Sequence, residues 1–252
     1  MVGGLLLRGM LVGVVAGLLC FGFLKIAGEP AVDRAIEFES THAAAERAQD
    51  HQHENQPPEP ELVSRETQAG IGLLTGVTVY SAAFGGLFAL AFALAHRRIG
   101  DLSPRAVAAL LATLGFMVVY AVPALKYPAN PPSVGAPETI GTRTALYFGF
   151  VAVSLLTAIA AGMLRSRLQA RHGAWNATLI AGGLYVAVML AVGLGLPAVN
   201  EVPDGFPAVV LWQFRMSALG AQLIMWTTLG LVFGALTQRA VTGQSRLRAK
   251  TV

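Results

Sequence analysis

The chain has 252 residues, 54% of them hydrophobic and 13% charged, against roughly 25% charged for a soluble domain. So little charge excludes an ordinary water-soluble globule. A single cysteine excludes an internal disulfide and CxxC metal or redox chemistry.

Six apolar runs approach the ~20 residues that cross a hydrocarbon core as a helix: about 5–27, 69–95, 106–125, 144–164, 174–199 and 216–236. A helix satisfies its own backbone hydrogen bonds where no water is available. The expected fold is therefore an all-α, polytopic membrane bundle of six transmembrane helices. It forms one integral membrane domain over 1–240, and 241–252 is a basic tail.

The first run resembles the apolar region of a signal peptide, but it has no small-x-small cleavage site and continues to Gly28, so it is read as a retained helix. Ala16-Gly17-Leu18-Leu19-Cys20 puts leucine where a lipoprotein signal needs a small residue. Gly9, Gly13 and Gly17 form a double GxxxG, and Gly72/Gly76 and Gly230/Gly234 repeat the spacing. Such faces let helix backbones approach closely, either within one bundle or against another membrane subunit.

The second segment, 28–68, is an acidic, histidine-containing connection. His42 and Glu46, four apart, share a face if the segment is helical, and His51-x-His53-Glu54 offers imidazole and carboxylate together. Cobalt, nickel and zinc accept that mixed ligand set. The competing reading is a solvated acidic tether whose histidines bind nothing specific.

Beyond it, spans two to six carry no Asp, Glu, Lys, Arg or His between their ends. That disfavours an intramembrane carboxylate or histidine relay. It also disfavours an intramembrane serine protease, which needs a histidine beside its serine. No GxxxxGK[ST] loop is present for ATP, and no enzyme activity is expected. Hydroxyls within the spans, among them Thr78, Ser154, Tyr185 and Ser217, either line a path or simply bond to a neighbouring helix.

The connections between spans differ in charge. One set holds eleven basic residues and a single acid, Asp101; the other holds seven basic residues and thirteen acids. Arginine and lysine accumulate in short cytoplasmic loops, so both termini are expected in the cytoplasm. The connections 28–68, 126–143 and 200–215 then lie outside. The excess of basic residues reflects topology, and nucleic acid is not an expected partner.

The outer connections carry the informative residues. Helix three ends in Lys126-Tyr127-Pro128-Ala129-Asn130-Pro131-Pro132, helix five in Pro197-Ala198-Val199-Asn200-Glu201-Val202-Pro203. The prolines fix extended paths, and Asn130, Asn200 and Glu201 offer hard oxygens to a cation. Arg143 and Arg215 follow each loop, as Arg65 follows the first. This rhyme fits three repeated hairpins, and shared exit chemistry at a membrane face produces it too. If the repeat holds, the outer loops converge on one mouth bearing Glu29, Asp33, Lys126, Asn130, Arg143, Asn200, Glu201 and Arg215. The competing reading makes these residues interfacial caps and ion pairs.

Gly28-Glu29-Pro30 with Asp33-Arg34-Ala35, the motif 126–132, Gly141-x-Arg143-Thr144, and 197–207 together make the chain resemble the predicted cobalt-transporter subunit family CbtA, over 5–236. The resemblance implies a multi-pass protein of the bacterial plasma (inner) membrane, embedded in the lipid bilayer beside a small single-span companion, CbtB. It implies cobalt(II) as the transported ion, with no permanently bound cofactor and no catalytic residues. The leading expectation is a membrane subunit of a divalent-cation uptake system, with an acidic mouth feeding a helix bundle. Its rival is a non-transporting scaffold or sensor that binds a partner through its outer loops.

Overall fold

The computed structural model describes residues 2–49, 63–96 and 98–250, without the side chains of residues 43, 45–49 and 243–250. Among the described residues the regular structure is helical, with no strand. Six long helices are described: α1 Val2–Ala27, α2 Glu29–Gln49, α3 Arg65–Ala95, α4 Pro104–Lys126, α5 Ile140–Gly195 and α6 over 208–250. All but α2 are long and apolar enough to cross a membrane.

α5 has 56 residues, about 84 Å of helix at 1.5 Å per residue, far more than one crossing needs. It is not straight. Gly173 takes φ 76° and ψ 163°, a conformation that glycine reaches without steric cost, and the chain folds back there. Arg165 Nε donates to Thr178 Oγ1 at 2.9 Å, although thirteen residues of straight helix would hold them about 20 Å apart. The two arms match the expected spans 144–164 and 174–199. The second arm ends at Gly195, four residues early, because Leu196 turns extended (ψ 147°) before Pro197.

By its internal contacts the chain divides into two units. The first comprises residues 1–114, 131–133 and 206–252. Its centre is the antiparallel pair α1 and α3, and the GxxxG face of α1 is spent there. A Cβ on Gly9 would run into Gly85 O, one on Gly13 into Ser81 O and Ala82 Cα, and one on Gly17 into Thr78 Cα. Gly230 and Gly234 face Ala112 and Ala108 in the same way. These small residues therefore serve packing inside one bundle. Phe88, Phe92 and Phe233 fill the core beside them with edge-on ring contacts, an arrangement favoured by the ring quadrupole. Arg8 reaches Thr237, Cys20 Sγ donates to Ala221 O, and Ser217 Oγ donates to Ala27 O. These bonds hold α6 antiparallel to α1.

Residues 29–49, expected to be part of an acidic connection, form the helix α2. Ala31 and Ala35 are fully buried, and Phe38 sets its ring edge against Phe206. The run Ala43-Ala44-Ala45-Glu46-Arg47-Ala48 consists of strong helix formers.

The second unit comprises residues 115–130 and 134–205. Within it α4 passes through a π-helical segment, Phe116–Ala121, just before Pro123. There Val122 N–H bonds to Met117 O, five residues back. Pro123 has no N–H to continue that pattern to Val118 O. Ser154 supplies the missing donor from α5, Oγ to Val118 O at 2.6 Å, and is itself 2.8 Å from Tyr185 OH on the other arm. Ser154 is fully buried. A serine thus repairs a proline break in a segment where water cannot.

Candidate functional site

The two proline-rich motifs meet in the second unit. Lys126 Nζ donates to Leu196 O and Tyr127 OH to Pro197 O, each at 3.0 Å. The Lys126 ammonium also lies 5.8 Å from the Tyr127 ring centroid, within cation–π range. The end of α4 is therefore tied to the end of α5 through main-chain carbonyls that Pro197 and its surroundings leave without helical partners.

Further along the same loops, Glu201 is the organising carboxylate. Its Oε2 accepts from Ala136 N–H at 2.8 Å and from Thr139 Oγ1 at 2.7 Å, and Arg143 Nε stands 3.4 Å away as an ion-pair partner. Thr139 precedes α5, so Glu201 serves the exposed N–H groups and positive dipole of that helix start. The Thr139 hydroxyl above all, then the Ala136 N–H and the Arg143 guanidinium, hold the Glu201 carboxyl below its usual range. Arg143 in turn donates Nη2 to Ala136 O at 3.1 Å and Nη1 to Val134 O at 3.4 Å. Its guanidinium lies against Gly135, whose φ is 114° and where any Cβ would collide with it. Only glycine fits both demands.

Asn130 is half-buried in this unit and engaged; Asn200 is exposed. Lys126, Asn130, Arg143, Asn200 and Glu201, expected at the mouth, thus belong to one unit.

Glu29, Asp33 and Arg215 belong to the other. There Arg65 pairs with Glu29 and with Asp33, the latter at 2.9 Å through Nη2 and 3.1 Å through Nε. The two carboxylates lie one turn apart on α2, and one guanidinium spans them in the forked geometry that arginine favours. Lys25 Nζ adds a bond to Ala69 O at 3.1 Å. Arg215 lies half-buried on α6, also engaged.

His42 is exposed on α2, its ring stacked on Phe38 at 4.5 Å. Glu46 follows one turn later on the same helix. His51, His53 and Glu54 lie outside the described residues. Among the described residues, no three His, Cys, Asp or Glu side chains gather as a metal cage would require.

Thr139 is not singled out by the sequence, and for Arg65 and Ser154, named there as a loop-end cation and a span hydroxyl, the sequence does not give the partners. The contacts of Arg65, Thr139 and Ser154 are made across 32, 62 and 36 residues of chain. Only Arg65 has a local signal, a cation just before an apolar run that follows an acidic segment.

Five long apolar helices, spans held together by small-residue packing and interhelical hydroxyl bonds, and polar clusters at the helix ends define a multi-pass integral membrane protein, with the lipid bilayer as its solvent. Residues 2–238 match the family model described as "Probable cobalt transporter subunit (CbtA)", and the chain belongs to that family. The family's description, a probable cobalt-transporter subunit, implies further subunits and a non-enzymatic role. No curated protein and no solved structure matches it.

Proposed function

We propose that the chain is the multi-pass subunit of a bacterial inner-membrane uptake system for cobalt(II), crossing six times with both termini in the cytoplasm. In this reading α5 crosses twice, turning at Gly173. The charge imbalance between its connections supports that orientation. The acids of α2 and the loops at the opposite face draw the divalent ion by their field. His42, Glu46, His51, His53 and Glu54 take it up. Glu29, Asp33, Asn130, Asn200 and Glu201 hand it toward the helix ends, and Lys126, Arg143 and Arg215 shape the loops around them. A small single-span CbtB companion completes the system.

The observation that carries this reading is the knitting of residues 126–143 to 196–201 through Lys126, Tyr127 and Glu201, in a chain whose family is described as a probable cobalt-transporter subunit. Loops so far apart in sequence are joined where an ion leaving water would meet the bundle. Radiolabelled cobalt uptake is the test, in cells that express the chain with and without its companion. Uptake should require the chain and fall in Glu201→Ala and Asn130→Ala; unchanged uptake in both variants would remove these residues from the path.

A scaffold or sensor is the second reading, and one observation favours it. Glu29, Asp33 and Glu201 already hold arginines, as interfacial caps would. Uptake independent of the chain, together with co-purification of a partner lost on changing those loops, selects it.

A further inference from the structure

The first unit carries a pocket that the transport reading does not use. Its volume is about 400 Å³, within the ~300–1,000 Å³ of ligand sites. It opens between the α1–α2 junction and the first half of α6. Phe23, Ile26, Trp212 and Met216 make its apolar wall, and Arg34 and Gln213 its polar end.

Its depth follows from the sequence. The apolar run of α1 ends at Ala27, and Glu29 and Asp33 begin the charged helix, so Ala27–Pro30 marks the membrane–water boundary. Arg34 stands just beyond that boundary. Phe23 and Ile26 stand just within it. Trp212 is 62% exposed and Ile26 79% exposed, costly in water but at home against acyl chains and glycerol esters, where tryptophan belts sit.

The charge at the polar end is unbalanced. Arg34 donates Nε to Pro30 O at 2.8 Å and Nη2 to Gln213 Oε1, both neutral oxygens. The nearby carboxylates Glu29 and Asp33 are taken by Arg65, and among the described residues no Asp or Glu lines the pocket. Ser217, which also lines it, spends its hydroxyl on Ala27 O and on its own helix. A guanidinium balanced only by neutral oxygens, above an apolar wall at the interface, matches a phosphate carried on a diacyl tail.

We propose that this pocket binds one anionic glycerophospholipid, its phosphate on Arg34 and its acyl chain along Phe23, Ile26 and Met216. With no carboxylate in the lining to meet a choline or ethanolamine ammonium, phosphatidylglycerol is favoured over zwitterionic lipids. A lipid seated there packs against the α1–α2 junction and α6 together and so braces the base of the acidic helix.

The test is native mass spectrometry of the full chain in detergent, titrated separately with phosphatidylglycerol, with diacylglycerol of the same chains, and with soluble glycerol phosphate. One phosphatidylglycerol should be retained about tenfold more strongly than diacylglycerol, the scale of a lost charge-assisted bond. Arg34→Gln should abolish that difference. Gln213→Leu removes the arginine's side-chain partner but leaves its charge, and should keep the lipid. Equal retention of diacylglycerol, or undiminished lipid binding by Arg34→Gln, overturns the proposal. So does equal loss in both variants, which would make Arg34 a structural residue. Displacement of the lipid by equimolar glycerol phosphate overturns it as well, because the pocket would then be a plain anion site.

Discussion

The two units differ in the contacts that are tightest in each. In the first, Gly9, Gly13 and Gly17 let α1 and α3 meet backbone to backbone, and Phe88, Phe92 and Phe233 fill the space beside them. In the second, the ties are directional: Ser154 to Val118 O, Lys126 to Leu196 O, Tyr127 to Pro197 O, and Glu201 to Ala136 N–H and Thr139. Close packing gains dispersion over many atoms and fails abruptly when one atom is added. Polar ties fail one at a time, and they fix the geometry of the loops where helices end. The packed unit should therefore behave as the rigid part, and the bonded unit as the part whose loops are exactingly placed.

Adding volume to the packed unit should give the largest effect. Gly13→Val puts a branched side chain into Ser81 O and Ala82 Cα, and separating the helices should cost about 3 kcal/mol or more. Thermal unfolding of the detergent-purified protein measures this. Gly76→Ala, where nothing lies within 4 Å, is the matched control and should be neutral or slightly stabilising. Equal effects at both glycines would mean that the close approach at Gly13 is not what holds the first unit together.

Gly135→Ala tests the bonded unit at its tightest point. The new methyl strains a φ of 114° and pushes the Arg143 guanidinium aside, for roughly 1–3 kcal/mol. Combining it with Glu201→Gln should give less than the sum of the two changes, because both act through Arg143; strict additivity would separate them.

Ser154→Ala should cost about 1 kcal/mol, the scale of an interhelical bond in a membrane, and more if Val118 O finds no new donor. Hydrogen exchange at the π segment 116–121 should rise with it. The effect should stay inside the second unit, and faster exchange at residues 9–17 would contradict the separation drawn here.

The smallest effect is set by pH. Because the folded structure lowers the carboxyl pKa of Glu201, its stabilising contribution is present above the unfolded value near 4.5 and is lost as pH falls through the folded value beneath it. The stability difference between wild type and Glu201→Gln should be constant near neutrality and shrink progressively as pH falls below the unfolded value near 4.5. A difference that persists at lower pH would mean that the Glu201 charge is not what holds the loop.

The long apolar helices were legible in the sequence because the bilayer imposes a length and an apolar character that composition reveals directly. The six apolar runs fall inside the observed helices to within a few residues at most ends, and α6 begins at Ala208, eight residues before the run expected at 216. The hairpin within α5 follows from Arg165, Arg167, Arg171 and Gly173 between two apolar runs.

The helicity of 29–49 was harder to see, because its charge made it read as a tether. What makes it helical is the burial of Ala31 and Ala35, which depends on tertiary neighbours. At the candidate site, Glu201 and Lys126 stand out as charges beside prolines and Arg143 as the cation that follows the loop. Their partners did not, because Ala136 N–H and the carbonyls of Leu196 and Pro197 are backbone groups with no signature in sequence. The service of Ser154 to a proline-orphaned carbonyl likewise needs the register of two helices.

Transport of cobalt(II) across the membrane by this chain, together with a CbtB companion, is what we propose. Its most direct test is a proteoliposome assay, with the purified chain and companion reconstituted around a cobalt-sensitive dye and cobalt(II) added outside. Dye quenching should need the chain and slow several-fold in Glu201→Ala while the protein remains folded. Quenching at the same rate in liposomes that hold the companion alone would contradict transport by this chain.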